Sequence, residues 1–185
     1  MTGSVETLGT PSLKRRMASF VYEGLLLFGI GLIPGALGAL FVALTGHQHP
    51  LQSDTALRAI TLLIYAVYFS WFWSARGQTL PMQTWHIRVV MADGGGPLSQ
   101  GRALMRFVAA CAWFAPAAAL AALNHWTRWQ GLAAIGIGVV AYALLALLHP
   151  QRQFWHDALC GTRLVDAKPD ARVRVNSGGV DNPVS

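Results

Sequence analysis

Four apolar stretches, Met17–Leu44, Leu57–Ala75, Ala103–Leu123 and Gly131–His149, alternate with polar connectors along the chain. A helix crosses a bilayer core with about 20 predominantly apolar residues, so each stretch reads as a span. The first is long for one crossing, because at about 1.5 Å per residue it exceeds a hydrocarbon core of about 30 Å. Pro34, in Gly29-Ile-Gly-Leu-Ile-Pro-Gly35, is placed to kink it. The connector between the second and third stretches is too long for a bare turn. It opens with Leu80, Met82, Trp85 and Ile87, a pattern suited to lying in the headgroup plane. A β-rich run, Ile87–Ala92, follows, and then the turn sequence Asp93-Gly-Gly-Gly-Pro97. Ser99 is an N-cap for the third span. A second β-like run, Thr162–Val165, follows the fourth stretch, and pairing with Arg88–Val90 would close a small sheet.

The pattern thus predicts an all-α membrane protein with four transmembrane helices and a small β element, about 87–92 with 161–167. Residues 14–167 form one membrane domain. The polar, aperiodic segments 1–13 and 168–185 are expected to be disordered tails.

Composition sharpens the class. Hydrophobic residues make up 54% and charged residues 12% of the 185, with a mean hydropathy of +0.41; soluble domains carry about 25% charged residues. Twelve of the 14 Lys and Arg residues precede the first stretch, lie between or at the edges of the second and third, or follow the fourth; only Arg58 and Arg128 fall on the other side. The excess of basic residues on cytoplasmic loops therefore puts both termini and the middle connector in the cytoplasm, which an even number of spans satisfies. The net charge of +6 is accounted for by topology and anionic lipid headgroups rather than by nucleic acid. The first apolar run is too long for a signal-peptide core.

Trp126 and Trp129 suit an outer aromatic belt, and Trp71, Trp73, Trp85 and Trp155 an inner one. Gly31-x-x-x-Gly35 and Ala134-x-x-x-Gly138 are small-residue patterns that let helices approach, here within one chain. Cys111 and Cys160 are expected to stay unbridged, with Cys111 a small packing residue. His47 and His49 are half a metal site, so no metal and no cofactor are expected. No nucleophile, base and orienting group stand together, so an enzyme is not expected.

One acidic residue stands out. Glu23 lies about two turns inside the first apolar run, seven residues beyond Arg16 and on nearly the same helix face. An ionised carboxylate near the bilayer centre costs about 2.5–3.5 kcal/mol, so it must be protonated, partnered or hydrated. Arg106, just inside the third span at a similar depth, is its candidate partner. Asp157 is the other acid near that face, and Arg16 is within reach of it. Such a cluster either fixes helix register or marks an ion or proton site.

Arg15-Arg16-Met-Ala-Ser-Phe-Val-Tyr-Glu23, Gly77-Gln-Thr-Leu80 followed by Ile87-Arg-Val-Val-Met-Ala-Asp-Gly-Gly-Gly-Pro-Leu-Ser99, Arg102-Ala-Leu-Met-Arg106-Phe and Trp155-His-Asp157-Ala-Leu-Cys-Gly-Thr-Arg-Leu-Val165 occur in that order. Together they resemble the RDD family of membrane proteins over about residues 13–166. By position, Arg16 takes the family's arginine, Glu23 its first aspartate and Asp157 its second. Glutamate at 23 and Pro81-Met82-Gln83 in place of the family's Gly-Lys are departures. The resemblance implies a multi-pass protein of a bacterial-type inner membrane, often suggested to transport a solute. Two functions follow as expectations. One is an ion- or proton-coupled transporter using Arg16, Glu23, Arg106 and Asp157, which at this size would work as a homo-oligomer. The other is a non-transporting scaffold that docks a partner protein through its cytoplasmic connector.

Overall fold

The computed structural model describes residues 9–47, 50–124, 126–148 and 153–167. His49 of the His47/His49 pair, residues 1–8 of the expected N-terminal tail and the whole of 168–185 lie outside them. In chain order the elements are α1 (Leu13–Thr45), a 3-10 turn (Pro50–Gln52), α2 (Asp54–Ala75), α3 (Leu80–Thr84), β1 (Ile87–Met91), α4 (Gln100–Leu123), α5 (Arg128–Leu148), α6 (Trp155–Leu159) and β2 (Thr162–Asp166).

The long helices begin three or four residues before their apolar runs, because polar caps set their starts. Ser12, Ser53 and Ser99 accept from the backbone N–H groups of Arg15, Ala56 and Arg102. Thr127 and Gln130 form a reciprocal capping box on α5. Of these caps, only Ser99 is anticipated by the sequence pattern. Among the described residues three helices are long and apolar enough to cross a membrane: Leu13–Thr45, Asp54–Ala75 and Trp129–Leu148. Their outward faces expose large apolar side chains, among them Phe28, Leu40, Leu63 and Ile137. Exposed apolar area on this scale calls for lipid or a partner. The remaining long helix, α4, runs 24 residues with Arg102 and Arg106 in its first two turns and Pro116 inside it. α1 is one helix of 33 residues that includes Pro34.

The long helices pack in a row: α1 against α2, α2 against α4, and α4 against α5, with no comparable contact between α1 and α5 among the described residues. Between α1 and α2, the Tyr65 hydroxyl donates to Leu27 O at 2.6 Å and would sit 2.5 Å from a Cβ placed on Gly31. Gly31 is therefore a point of close approach, whereas Gly35 and Gly138 face nothing within 4 Å.

Below the bundle, β1 and β2 pair antiparallel, with Ile87 opposite Asp166, Val89 opposite Leu164 and Met91 opposite Thr162. A lone two-stranded ribbon is marginal in water, but both edges of this one are covered. Val89 N–H donates to Gly77 O and Met91 N–H to Gly96 O. On the other side the Gln153 amide exchanges two bonds with the Leu164 backbone, and Asp166 N–H donates to Gly9 O. Thr10 joins the same edge by accepting from Gln153, and Pro11 is fully buried, so residues 9–12 are integrated with the sheet. Arg15 ties the start of α1 to this unit through an ion pair with Asp166 at 2.5 Å and bonds to the carbonyls of Trp85 and His86. Ile87, Val89 and Leu164 pack with Trp73, Met82 and Phe107 into a core that joins sheet to helices.

Gly77 is the tightest joint. Its φ is +66°, and a Cβ there would lie 2.8 Å from Val89 O, a backbone atom that cannot swing away. Gly77→Ala is expected to cost about 2 kcal/mol or more, from the left-handed conformation together with the clash. Gly94, at φ +74° with open space around it, is the control: Gly94→Ala should cost only the conformational part, about 1 kcal/mol. Thermal unfolding of the two variants in the same detergent checks the difference.

Candidate functional site

α1, α2, α4 and α5 enclose a cavity of about 400 Å³ at the sheet end of the bundle, within the range of small-molecule sites. Its wall is mainly apolar, with Phe20, Leu27, Leu62, Phe69 and Val139 among the lining residues. Arg16, Glu23, Arg106 and His156 also line it, and Phe154 and Leu164 contribute from the sheet end.

Glu23 is buried, and hydroxyls rather than an arginine hold it. Tyr68 donates to Oε1 at 2.7 Å and Thr79 to Oε2 at 2.5 Å. Thr79 is placed by its second role: it caps α3, accepting from Met82 N–H. Tyr68 is one turn beyond Tyr65, so α2 aims both phenols at α1.

The expected partnership of Glu23 with Arg106 gives way to another. Arg106 Nε donates to Asp157 Oδ1 at 2.6 Å, and both side chains are buried. The Arg106 guanidinium also stacks 4.1 Å from the centroid of the Trp73 ring. Trp73 is thus a buried partner of this charge, not a belt residue, while Trp71, Trp129 and Trp155 are exposed. Asp157 reaches Arg106 because α6 folds back beneath α4, a turn that linear depth along the spans does not reveal. Thr162, at the start of β2, binds the Asp157 carbonyl and, more weakly, Oδ1. Burial alone would raise the Asp157 carboxyl, but the Arg106 charge, His156 and the hydrogen bonds from Arg106 and Thr162 together outweigh it and hold the group below its ordinary range.

His156 lies between the ion pair and α5. Its backbone N–H donates to the Tyr142 hydroxyl at 3.1 Å, and that hydroxyl lies 2.5 Å from Nδ1. With the hydroxyl donating to Nδ1, the ring proton is on Nε2, 3.5 Å from Asp157 Oδ1. Burial pushes the imidazole down to about 4, with Asp157 opposing and Arg106 reinforcing the shift. The ring is therefore neutral at pH 7, and the direct ion pair of Asp157 is with Arg106, while Arg16 acts on it only through its field.

Arg16 does not pair with Asp157 as expected. It is 4% exposed, its guanidinium carbon lies 4.8 Å from the centroid of Phe154, and its Nε and Nη1 have no hydrogen-bond partner among the described residues. Asp157 Oδ2 is unpartnered in the same sense.

Three of the four expected residues, Arg16, Glu23 and Arg106, therefore meet at one cavity, and Asp157 stands behind Arg106. Tyr68, Thr79, Tyr142 and His156 complete the site, although the sequence reading gave none of them a role. Among the described residues no group of three or more His, Cys, Asp or Glu side chains is placed to hold a metal ion, and Cys111 and Cys160 are both free. None of the curated proteins and none of the solved structures compared with the chain matches it. The RDD family model matches residues 10–161, which take in every element except β2, so the chain belongs to the RDD family.

Proposed function

We propose that this chain is a small membrane transporter in which Glu23 binds and releases a proton or a cation. In this reading α1, α2, α4 and α5 are four spans, and the sheet and both termini face the cytoplasm of a bacterial-type inner membrane. The asymmetry of basic residues supports that orientation, and the 24 residues of α4 cover about 36 Å at 1.5 Å each, enough for the core.

The observation that carries the reading is the choice of partners for Glu23. Guanidinium groups only donate, so an arginine-paired carboxylate is held ionised; a hydroxyl both donates and accepts. Tyr68 and Thr79 can donate to a carboxylate, and either can turn to accept from a carboxylic acid. Their bonds to Glu23 thus suit both protonation states, beside a cavity that a solute can occupy. Arg106 acts on Glu23 through its field but forms its direct pair with Asp157.

Glu23→Gln is expected to keep the fold within about 1 kcal/mol, since the same hydroxyls can serve an amide, and to abolish coupled flux. Proteoliposomes loaded with a pH-sensitive dye, under imposed Na⁺, K⁺ or proton gradients, check this against wild type. Undiminished flux from a folded Glu23→Gln protein would rule out Glu23 as the coupling group.

A further inference from the structure

We infer that the cavity is a binding site for a single-chain amphiphile with a carboxylate head, and that Arg16 is its head-group ligand. As the substrate class of the transporter this rests on the preceding reading; as a binding site it can be tested without any flux.

The argument starts from the polar groups on the cavity wall. Glu23 is engaged by Tyr68 and Thr79, Arg106 by Asp157, and His156 Nδ1 by Tyr142. Trp73 Nε1 on this wall also lacks a hydrogen-bond partner among the described residues, but it is neutral. Arg16 is the charged case: it is 4% exposed, it lines the cavity, and two of its nitrogens have no hydrogen-bond partner among the described residues. A buried guanidinium left in this state is strongly unfavourable unless something supplies an acceptor. The face of the Phe154 ring holds the guanidinium in place but offers no hydrogen-bonding oxygen.

The rest of the wall sets the body of the ligand. Phe20, Leu27, Leu62, Phe69, Ala110 and Val139 line the cavity beyond the polar groups and offer an acyl chain apolar contact without hydrogen bonds. A volume of about 400 Å³ lies toward the small end of ligand pockets, which favours one chain over the two of a bilayer phospholipid. Arg16 feels the charge of Asp157 but makes no ion pair with it, and its two nitrogens without a hydrogen-bond partner among the described residues suit the acceptor oxygens of one carboxylate. Access follows from the packing order of the helices. Because α1 and α5 are the ends of the row and are not packed on each other as the other neighbours are, a chain can enter between them from the bilayer.

The competing occupant is a water molecule linking Arg16 to Asp157 Oδ2, a buried acceptor also without a hydrogen-bond partner among the described residues. The experiment separates the two. The full chain in lipid nanodiscs is titrated with laurate, dodecanol, dodecyltrimethylammonium and acetate, and binding is read by calorimetry. Saturable laurate binding is expected, at least tenfold tighter than dodecanol or acetate, with none for the cation. Arg16→Gln should weaken laurate at least tenfold and leave dodecanol unchanged, while Arg16→Lys restores part of the affinity. Ala110→Phe, which fills the cavity and leaves Arg16 intact, should weaken laurate and dodecanol together. Absence of saturable laurate binding, equal affinity for laurate and dodecanol, acetate binding as tightly as laurate, or full affinity in folded Arg16→Gln would each overturn the assignment. Loss of flux in Glu23→Gln with laurate binding retained would separate this site from ion coupling.

Discussion

Asp157→Ala is expected to destabilise the protein by about 3–5 kcal/mol, the range for removing one partner of a buried ion pair. The side chain it removes is fully buried and accepts from Arg106 Nε at 2.6 Å. Without it the guanidinium stays enclosed against Trp73 with its counter-charge gone. Asp157→Asn should cost less, because it keeps an acceptor for Arg106 and Thr162 and loses only the charge. The double change Arg106→Met with Asp157→Leu should recover most of the loss, since apolar replacements of similar volume remove both desolvation penalties. Chemical unfolding in mild detergent, run as a double-mutant cycle, gives the coupling energy directly. A single-variant cost below about 1 kcal/mol would mean that the pair does not tie α6 to α4.

The second large effect is a loss of stability on acidification. The folded-state pKa of His156 is lowered from 6.5 to about 4, chiefly by burial. Between those values the unfolded chain binds a proton that the folded chain does not. Stability is therefore fully present above about pH 6.5 and falls as pH drops, levelling off near pH 4. The total is on the order of 3 kcal/mol, at about 1.4 kcal/mol per pKa unit. Asp157 is also lowered, but from 3.8, so its contribution is lost below the window of His156. His156→Asn, which keeps a side-chain acceptor for Tyr142 in place of Nδ1, should flatten the curve between pH 6.5 and 4. Melting temperature against pH for the two proteins is the measurement, and parallel curves would show that another group carries the dependence.

The parts of this molecule that periodicity and composition control were legible in its sequence. Apolar runs located the long helices, and the β-rich residues around Val89 and Leu164 announced a pairing that the structure contains. Helix starts were less legible because serine and threonine caps lie outside the apolar runs. The four charged residues were found because ionisable groups in or beside apolar helices are rare. Their pairing was not, since depth along a span says nothing about how a five-residue helix such as α6 turns back. Tyr68 and Thr79 left a fainter trace. A threonine before Leu80-Pro81 signals a cap, but nothing local shows that its hydroxyl also reaches a carboxylate 56 residues earlier. Trp73 misled for the same reason: its neighbour Trp71 does face outward, and only the position of Arg106 distinguishes the two.

The covered sheet and the buried ion pair also impose an order on biogenesis. Arg106 is synthesised 51 residues before Asp157, so at roughly 5–20 residues per second the ribosome delivers the counter-ion about 3–10 s later. During that interval α4 carries an unneutralised arginine, and β1 waits with an unpaired edge for β2. A nascent chain released before α6 would be an early substrate for membrane quality control, whatever the apolarity of its four long helices. Residues 153–167, which bring Asp157 and β2, are thus the checkpoint at which the helices and the sheet become committed to one fold.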